Sequence, residues 1–398
     1  ERSNKSNSCV ARHCTSSVYS LRISLITKED FVEKSKRIEW IDTLRFIGMF
    51  SIYLSHLYEQ AGYFYPFGYR FQTPLFFFIA GAADNLARMD STFLQHLKKK
   101  FAGIMLPYFF FGMVSILIIC ITGTANAGEI LKIEMQYLLG IRNQLFASML
   151  WFLPCIFVMS LLFYGLKKLV NNRWFLLLVA MGLLVISETL LPHRPIENPS
   201  WFWNVDSVLY YFFYFVLGYA VFPYVRQLIS SRSVWAYIGK VVSAVIVTAY
   251  ALLFLVGKDL VAILFGRIPN MGPIIVVCSA IVMIWFSIML AQILSFFPLL
   301  PKIGHNTLWL CGSEQVIRYL TPPLFSILGW NLTFSSPAAA IIFTFGAILA
   351  AEFAIIPVVK TLYYSLLAFF NPSWLQPKLV EQQAQATDTP IGENLNQT

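Results

Sequence analysis

Residues 40–58 read WIDTLRFIGMFSIYLSHLY. A run of this length and apolarity approaches the roughly 20 residues that a helix needs to cross about 30 Å of hydrocarbon. It also carries Asp42, Arg45 and His56, and ionisable groups inside a span are costly enough to point to function. Their spacing places them together. Arg45 and His56 are eleven residues apart, which brings them within about 20° of three full helical turns. Asp42 and His56, fourteen apart, fall within about 40° of register, so all three share one face. The rise from Arg45 to His56 is roughly 16 Å. One helix face therefore joins a cation near one membrane boundary to a titratable base near the other.

Composition extends this reading to the whole chain. Of 398 residues, 58% are hydrophobic and only 12% are charged, against about 25% charged in soluble domains. Spans are expected at roughly 40–58, 71–87, 101–122, 148–166, 174–191, 205–225, 236–256, 272–296, 304–321 and 336–358. The fold class is thus all-α, a polytopic transmembrane helical protein of about ten spans. Pro74 and Gly81 are expected to break the second span. Residues 129–147 are too charged to cross and read as an interfacial helix. Residues 1–37 form a polar, basic N-terminal segment without the apolar core of a secretory signal. The transmembrane domain covers 38–370, and 371–398 read as a polar, disordered tail.

The net charge of +9 does not indicate nucleic acid, because the basic residues sit in short clusters between apolar runs. With a cytoplasmic N-terminus, the outer loops hold only Arg70, Lys132, Arg142, Arg194, Lys258 and Arg267, and the inner segments hold the larger share of Lys and Arg. This bias supports ten spans with both termini cytoplasmic. The six cysteines form no CxxC pair, so neither a zinc site nor a disulfide framework is expected. No phosphate-cradling glycine loop is present, which argues against a nucleotide-driven transporter.

Simpler readings of the first span remain open at this point. Asp42 and Arg45 can be a snorkelling ion pair, and His56 an interfacial histidine bonded to water or to Glu59. Against these stands the order of landmarks along the chain. Trp40-Ile41-Asp42-Thr43-Leu44 precedes an Arg, ten residues and a His. Leu75-Phe76-Phe77-Phe78-Ile79-Ala80-Gly81, Leu106-Pro107-Tyr108 after a basic cluster, Trp151-Phe152-Leu153 and Gly304-His305-Asn306-Thr307-Leu308 follow in turn. In these features the chain resembles the acyltransferase-3 family of integral membrane acyltransferases. It departs from many relatives in carrying lysines at 98–100, Gly103 where a further Arg often falls, and Glu314 as the nearest candidate where a His often follows the last motif.

The resemblance implies an O-acyltransferase that takes an acyl group, commonly acetyl, from cytoplasmic acyl-CoA to a hydroxyl of a surface or lipid-linked glycan. The setting it suggests is the lipid bilayer of a bacterial inner membrane, with no metal. A nucleotide carrying several phosphates needs fixed positive charge, which Arg45, with Asp42 beside it, and Lys98, Lys99 and Lys100 would supply. The lysines equally suit topology alone. Imidazole titrates near neutral pH, so His56 is the candidate general base, with Glu59 or Glu314 to orient it. Trp151 and Phe152 are candidates to stack on a sugar, or belong to an aromatic belt. The competing functions are a secondary transporter or flippase, which an internal repeat would favour and none is seen, and acylation of a small cytoplasmic acceptor.

Overall fold

The computed structural model describes residues 38–370 apart from 87–90, 124–125, 192, 196, 330–332 and 335. The expected N-terminal segment and C-terminal tail lie outside the described residues. Among the described residues there are helices and turns and no strand. In chain order the helices are α1 (Glu39–Ser55), α2 (Phe64–Leu86), α3 (Phe93–Thr122), α4 (Ala127–Leu139), α5 (Phe152–Leu169), α6 (Arg173–Thr189) and α7 (Val205–Ser230). Then follow α8 (Val234–Leu255), α9 (Leu260–Phe265), α10 (Gly272–Leu294), α11 (Leu299–His305), α12 (Thr307–Ile327) and α13 (Pro337–Phe369).

Each of the ten expected spans coincides with a helix. Six of the described helices, namely α3, α5, α7, α8, α10 and α13, are long and apolar enough to cross a membrane. Two others, α1 and α6, have 17 residues each and fall short in length. The polar side chains of α2 and α12 lower their hydropathy below that of the six. On α8, Trp235, Val245 and Ile246 are exposed, an apolar surface that a water-soluble protein would cover.

The helix starts are written in local chemistry. At the head of α3, Thr92 accepts from the backbone N–H of Gln95, and the Gln95 side chain accepts in return from the Thr92 N–H. Asn126 and Glu129 form the same reciprocal cap on α4. That helix ends at Gly140, whose φ of +66° suits glycine, earlier than the expected interfacial segment at 147.

The expected break in α2 does not occur: the helix runs through both Pro74 and Gly81. Proline removes one hydrogen bond, a loss that a packed membrane helix tolerates. Gly81 serves packing instead. A Cβ there would lie 1.8 Å from the Phe215 carbonyl oxygen of α7, and one on Gly218 would lie 2.0 Å from that of Phe78. The two backbones therefore touch through reciprocal glycines, as close helix crossings in membranes do. Gly304 of α11 meets the Asp42 carbonyl of α1 in the same way, at 1.8 Å from an added Cβ. These crossings join α2 to α7 and α1 to α11, and the packing of α1 along α2 brings the four into one core. Phe77, Tyr211 and Phe152 fill its centre, with ring centroids 4.8 Å apart for both Phe77 pairs.

Candidate active site

The face of α1 read from the sequence lines a cavity. Arg45, Met49, Ile52 and His56 follow one another along the wall of a space of about 560 Å³. The opposite walls come from α2 (Gln72, Thr73, Phe76, Ile79), from α5 (Phe152, Leu153, Ile156), and from Thr307, Leu308 and Cys311 of α12. One α-helical turn of α3, Phe101–Met105, is replaced by a wider π turn. Such turns gather at functional sites, and this one brings Gly103 and Ile104 to the cavity wall. A Cβ on Gly103 would meet nothing within 4 Å, so the missing side chain leaves open space.

His56 caps the C-terminal end of α1. Its Nδ1 lies 2.7 Å from Oε1 of Glu314, a buried residue of α12. At this distance Glu314 can accept from Nδ1–H, the tautomer in which Nε2 carries the lone pair. Several bonds hold α12 in register with its neighbours. Tyr53 OH donates to the Leu310 carbonyl at 2.7 Å, Gln315 Nε2 to the Phe111 carbonyl at 3.0 Å, and Tyr319 OH to the Phe146 carbonyl at 2.9 Å. Ser115 bridges Gln315 to Tyr137. Burial pushes the Tyr137 phenol up to about 12, so this hydroxyl stays protonated and accepts the Ala147 N–H.

At the other end, Arg45 Nη1 meets Asp42 Oδ1 at 2.6 Å. Asp42 is buried and fixes the guanidinium at the cavity wall. The ion pair of the simpler reading thus exists, and its arginine also faces the cavity. The expected basic cluster stands near this end without lining it: Lys98 and Lys99 are exposed, and Lys100 Nζ pairs with Asp84 at 3.1 Å. Glu59 does not join the others; it lies exposed in the turn after α1 and lines no part of this cavity. Trp151 is buried and lines the cavity with Phe152, a position inside the fold and not in a lipid-facing belt.

Three polar residues at the site were not singled out from the sequence for it. Arg142 places its guanidinium 4.8 Å from the Trp151 ring centre and donates to the Pro195 carbonyl at 2.8 Å. It lies in a loop, where nothing in the sequence separates it from a topology-setting arginine. Gln72 lines the cavity beside His56, and its Oε1 accepts from Ser55 at 3.0 Å and Ser51 at 3.4 Å. Gly68 makes room for this cluster, since a Cβ there would meet both serine hydroxyls within 2.6 Å. Gln72 thus stands in the cavity wall with its oxygen engaged by two serines of α1. The third is Arg318, one turn beyond Glu314.

A second histidine cluster has a different character. His193 Nε2 lies 3.2 Å from Asp206 and 3.0 Å from Ser200. One ring nitrogen serves both partners, so no proton relay passes through the imidazole. Asp206 also accepts the N–H groups of Ser200 and Trp201. The cluster closes a loop.

These features define a membrane protein in which a partly buried histidine, paired with a buried carboxylate, shares a cavity with an arginine. The family model of the acyltransferase domain matches residues 38–356, and the chain belongs to the acyltransferase-3 family. It is a membrane acyltransferase by that membership and by its apolar helices. Comparison with curated proteins and with solved structures gives no match.

Proposed function

We propose that the protein moves an acyl group, acetyl in the simplest case, from acyl-CoA to a hydroxyl of a surface or lipid-linked glycan. The observation that carries this reading is the single cavity joining Arg45 to His56, with His56 backed by Glu314. In this reading the chain spans a bacterial inner membrane ten times with both termini cytoplasmic. The nucleotide end of the donor rests near Arg45, Lys98 and Lys99. A slender acyl-bearing arm suits a cavity that follows α1 for roughly 16 Å, the helical rise from Arg45 to His56.

His56 is the base. Nε2 takes the acceptor hydroxyl proton as that oxygen bonds to the acyl carbon; the carbon–sulfur bond then breaks, and the proton passes from His56 to the leaving sulfur. Glu314 stabilises the imidazolium formed between these steps. Gln72 supplies N–H donors on the same cavity for the acyl oxygen as it gains charge. Trp151 and Phe152, inside the cavity, pack against the donor's acyl arm or the sugar face that meets it.

Acetyl-CoA labelled in the acetyl group, supplied to membranes containing the protein, tests the reading. Label is expected in an alkali-labile ester of an envelope saccharide. Label that crosses the membrane without forming an ester would establish transport instead, and a labelled small cytoplasmic product would move the acceptor inside.

A further inference from the structure

A second cavity, of about 350 Å³, meets the first at the His56 ring. Its walls include Glu314, Arg318 and Thr321 of α12, Tyr58 and Gln60 of the turn after α1, and Thr344 of α13. The direct transfer proposed above brings two substrates to one base simultaneously. A space that reaches His56 from Arg45 suits the donor, and a separate space touching the same ring and its carboxylate suits the acceptor.

The lining indicates what that acceptor carries. Arg318 is partly buried, and among the described residues no carboxylate lies within ion-pair distance of it. Its Nη1 donates to Ser148 at 3.3 Å and its Nη2 to Tyr58 at 3.1 Å. Guanidinium has five N–H donors, so others remain for a ligand. The guanidinium also lies 5.8 and 5.6 Å from the centres of the Tyr58 and Tyr319 rings, and an anion in the cavity would add charge-assisted hydrogen bonds to these neutral contacts. Glu314 faces the same cavity but is engaged by His56. Tyr58 holds a left-handed backbone, φ +50°, where bulky residues are rarely found. Strain of this kind gathers at ligand sites, and here it sets the hydroxyl against Arg318.

We infer that this second cavity seats the acceptor, and that Arg318 selects a hydroxyl compound bearing a carboxylate or phosphate. The inference rests on the acyltransfer reading for the word acceptor; the anion seat itself does not.

The test uses the full-length protein with Ser326→Cys at the cavity rim. Modification of position 326 by N-ethylmaleimide is followed by peptide mass spectrometry. Glucuronate, glucose 1-phosphate and glucose are the probes. A saturating anionic probe is expected to slow modification by about tenfold at ten times its Kd, whereas glucose and coenzyme A leave the rate unchanged. Protection by glucuronate indicates a carboxylated sugar, and by glucose 1-phosphate alone a phosphorylated one. Arg318→Gln should remove the protection, and Arg318→Lys retain part of it. Equal protection by glucose, no protection by either anion, or full protection in Arg318→Gln would overturn the anion seat. Acetyl transfer to the protecting anion separates the two claims: Arg318→Gln should raise the acceptor KM by about tenfold, the loss of one charged hydrogen bond, with the donor KM unchanged. An unchanged acceptor KM would overturn the acceptor assignment. If transfer proves independent of His56 while protection by the anion persists, the base reading fails and the seat stands.

Discussion

His56 Nδ1 and Glu314 Oε1 lie 2.7 Å apart across 258 residues of chain. The bond links the end of α1 to the middle of α12 and makes a paired base from two residues that sit in separate sequence motifs. Its contribution is testable at Glu314. Glu314→Gln keeps the volume and a hydrogen-bonding oxygen but removes the charge that stabilises imidazolium. Turnover is expected to fall by about 10²- to 10⁴-fold, with the protein still inserted in the membrane. Donor binding, measured on the same sample, should hold. Turnover near wild type would reduce Glu314 to a structural partner.

Packing gives a prediction of another kind. An added Cβ on Gly218 would lie 2.0 Å from the Phe78 carbonyl oxygen, and backbone cannot yield as a flexible side chain does. Gly218→Ala should force α2 and α7 apart and destabilise the protein by about 1–3 kcal/mol or more. Lower thermal stability in detergent, with less protein in the membrane, is the expected result. Gly103→Ala, placed where a Cβ meets nothing within 4 Å, is the control and should retain stability. Equal stability of Gly218→Ala and wild type would show that the crossing is looser than its geometry.

The sidedness of the ten-span reading is testable at residues 257–271, which that reading places outside. Lys258→Cys and Arg267→Cys should react with an impermeant maleimide in intact cells. Reaction only after permeabilisation would invert or break the topology.

Much of the bundle was legible because apolar runs report their own length. The shared face of Arg45 and His56 followed from helical spacing, and both line one cavity as that spacing requires. What periodicity cannot report is contact between distant segments. Glu314 was one candidate beside Glu59, which is nearer to His56 in sequence; only the fold brings α12 against α1 and leaves Glu59 exposed. Gly81 packs against α7 where its sequence setting suggests a helix break, because glycine in a span has two uses. The choice between breaking and close packing depends on Phe215, 134 residues away in sequence by the spacing of the helices they share, as for Asn85 and the Tyr219 carbonyl. Arg318 carried no distinguishing local pattern, since its significance lies in the cavity it lines with residues of α13 and of the turn after α1.

Arg45 and Gln72 should separate in kinetics. Arg45 touches the cavity at the end assigned to the donor's phosphates, so Arg45→Ala should raise the donor KM. Arg45→Lys keeps the charge without the planar fork and should also be impaired. Gln72 acts only as charge develops on the acyl oxygen, so Gln72→Leu should lower kcat by about 10²- to 10³-fold with the donor KM little changed. If Arg45→Ala and Arg45→Lys bind donor as wild type does, Arg45 leaves the donor site. If neither accumulates in the membrane, its bond to Asp42 is structural in purpose.

His56 bears the most weight. A base that moves a proton in the transition state contributes about 10²- to 10⁴-fold in rate, or roughly 3–5 kcal/mol at 1.36 kcal/mol per tenfold. His56→Ala should lose nearly all turnover while still inserting and still binding acyl donor. His56→Gln is the sharper variant. Glutamine retains hydrogen bonding toward Glu314 but cannot take up a proton at neutral pH, so it should be as inactive as alanine. A histidine that served only to hold α1 against α12 predicts the reverse, with glutamine restoring much of the activity. Acetyl transfer by purified His56→Gln, with donor affinity measured on the same sample, decides between them. Turnover within a few-fold of wild type would remove His56 as the base and leave Glu314, its carboxylate partner in the wall of the second cavity, as the residue to examine.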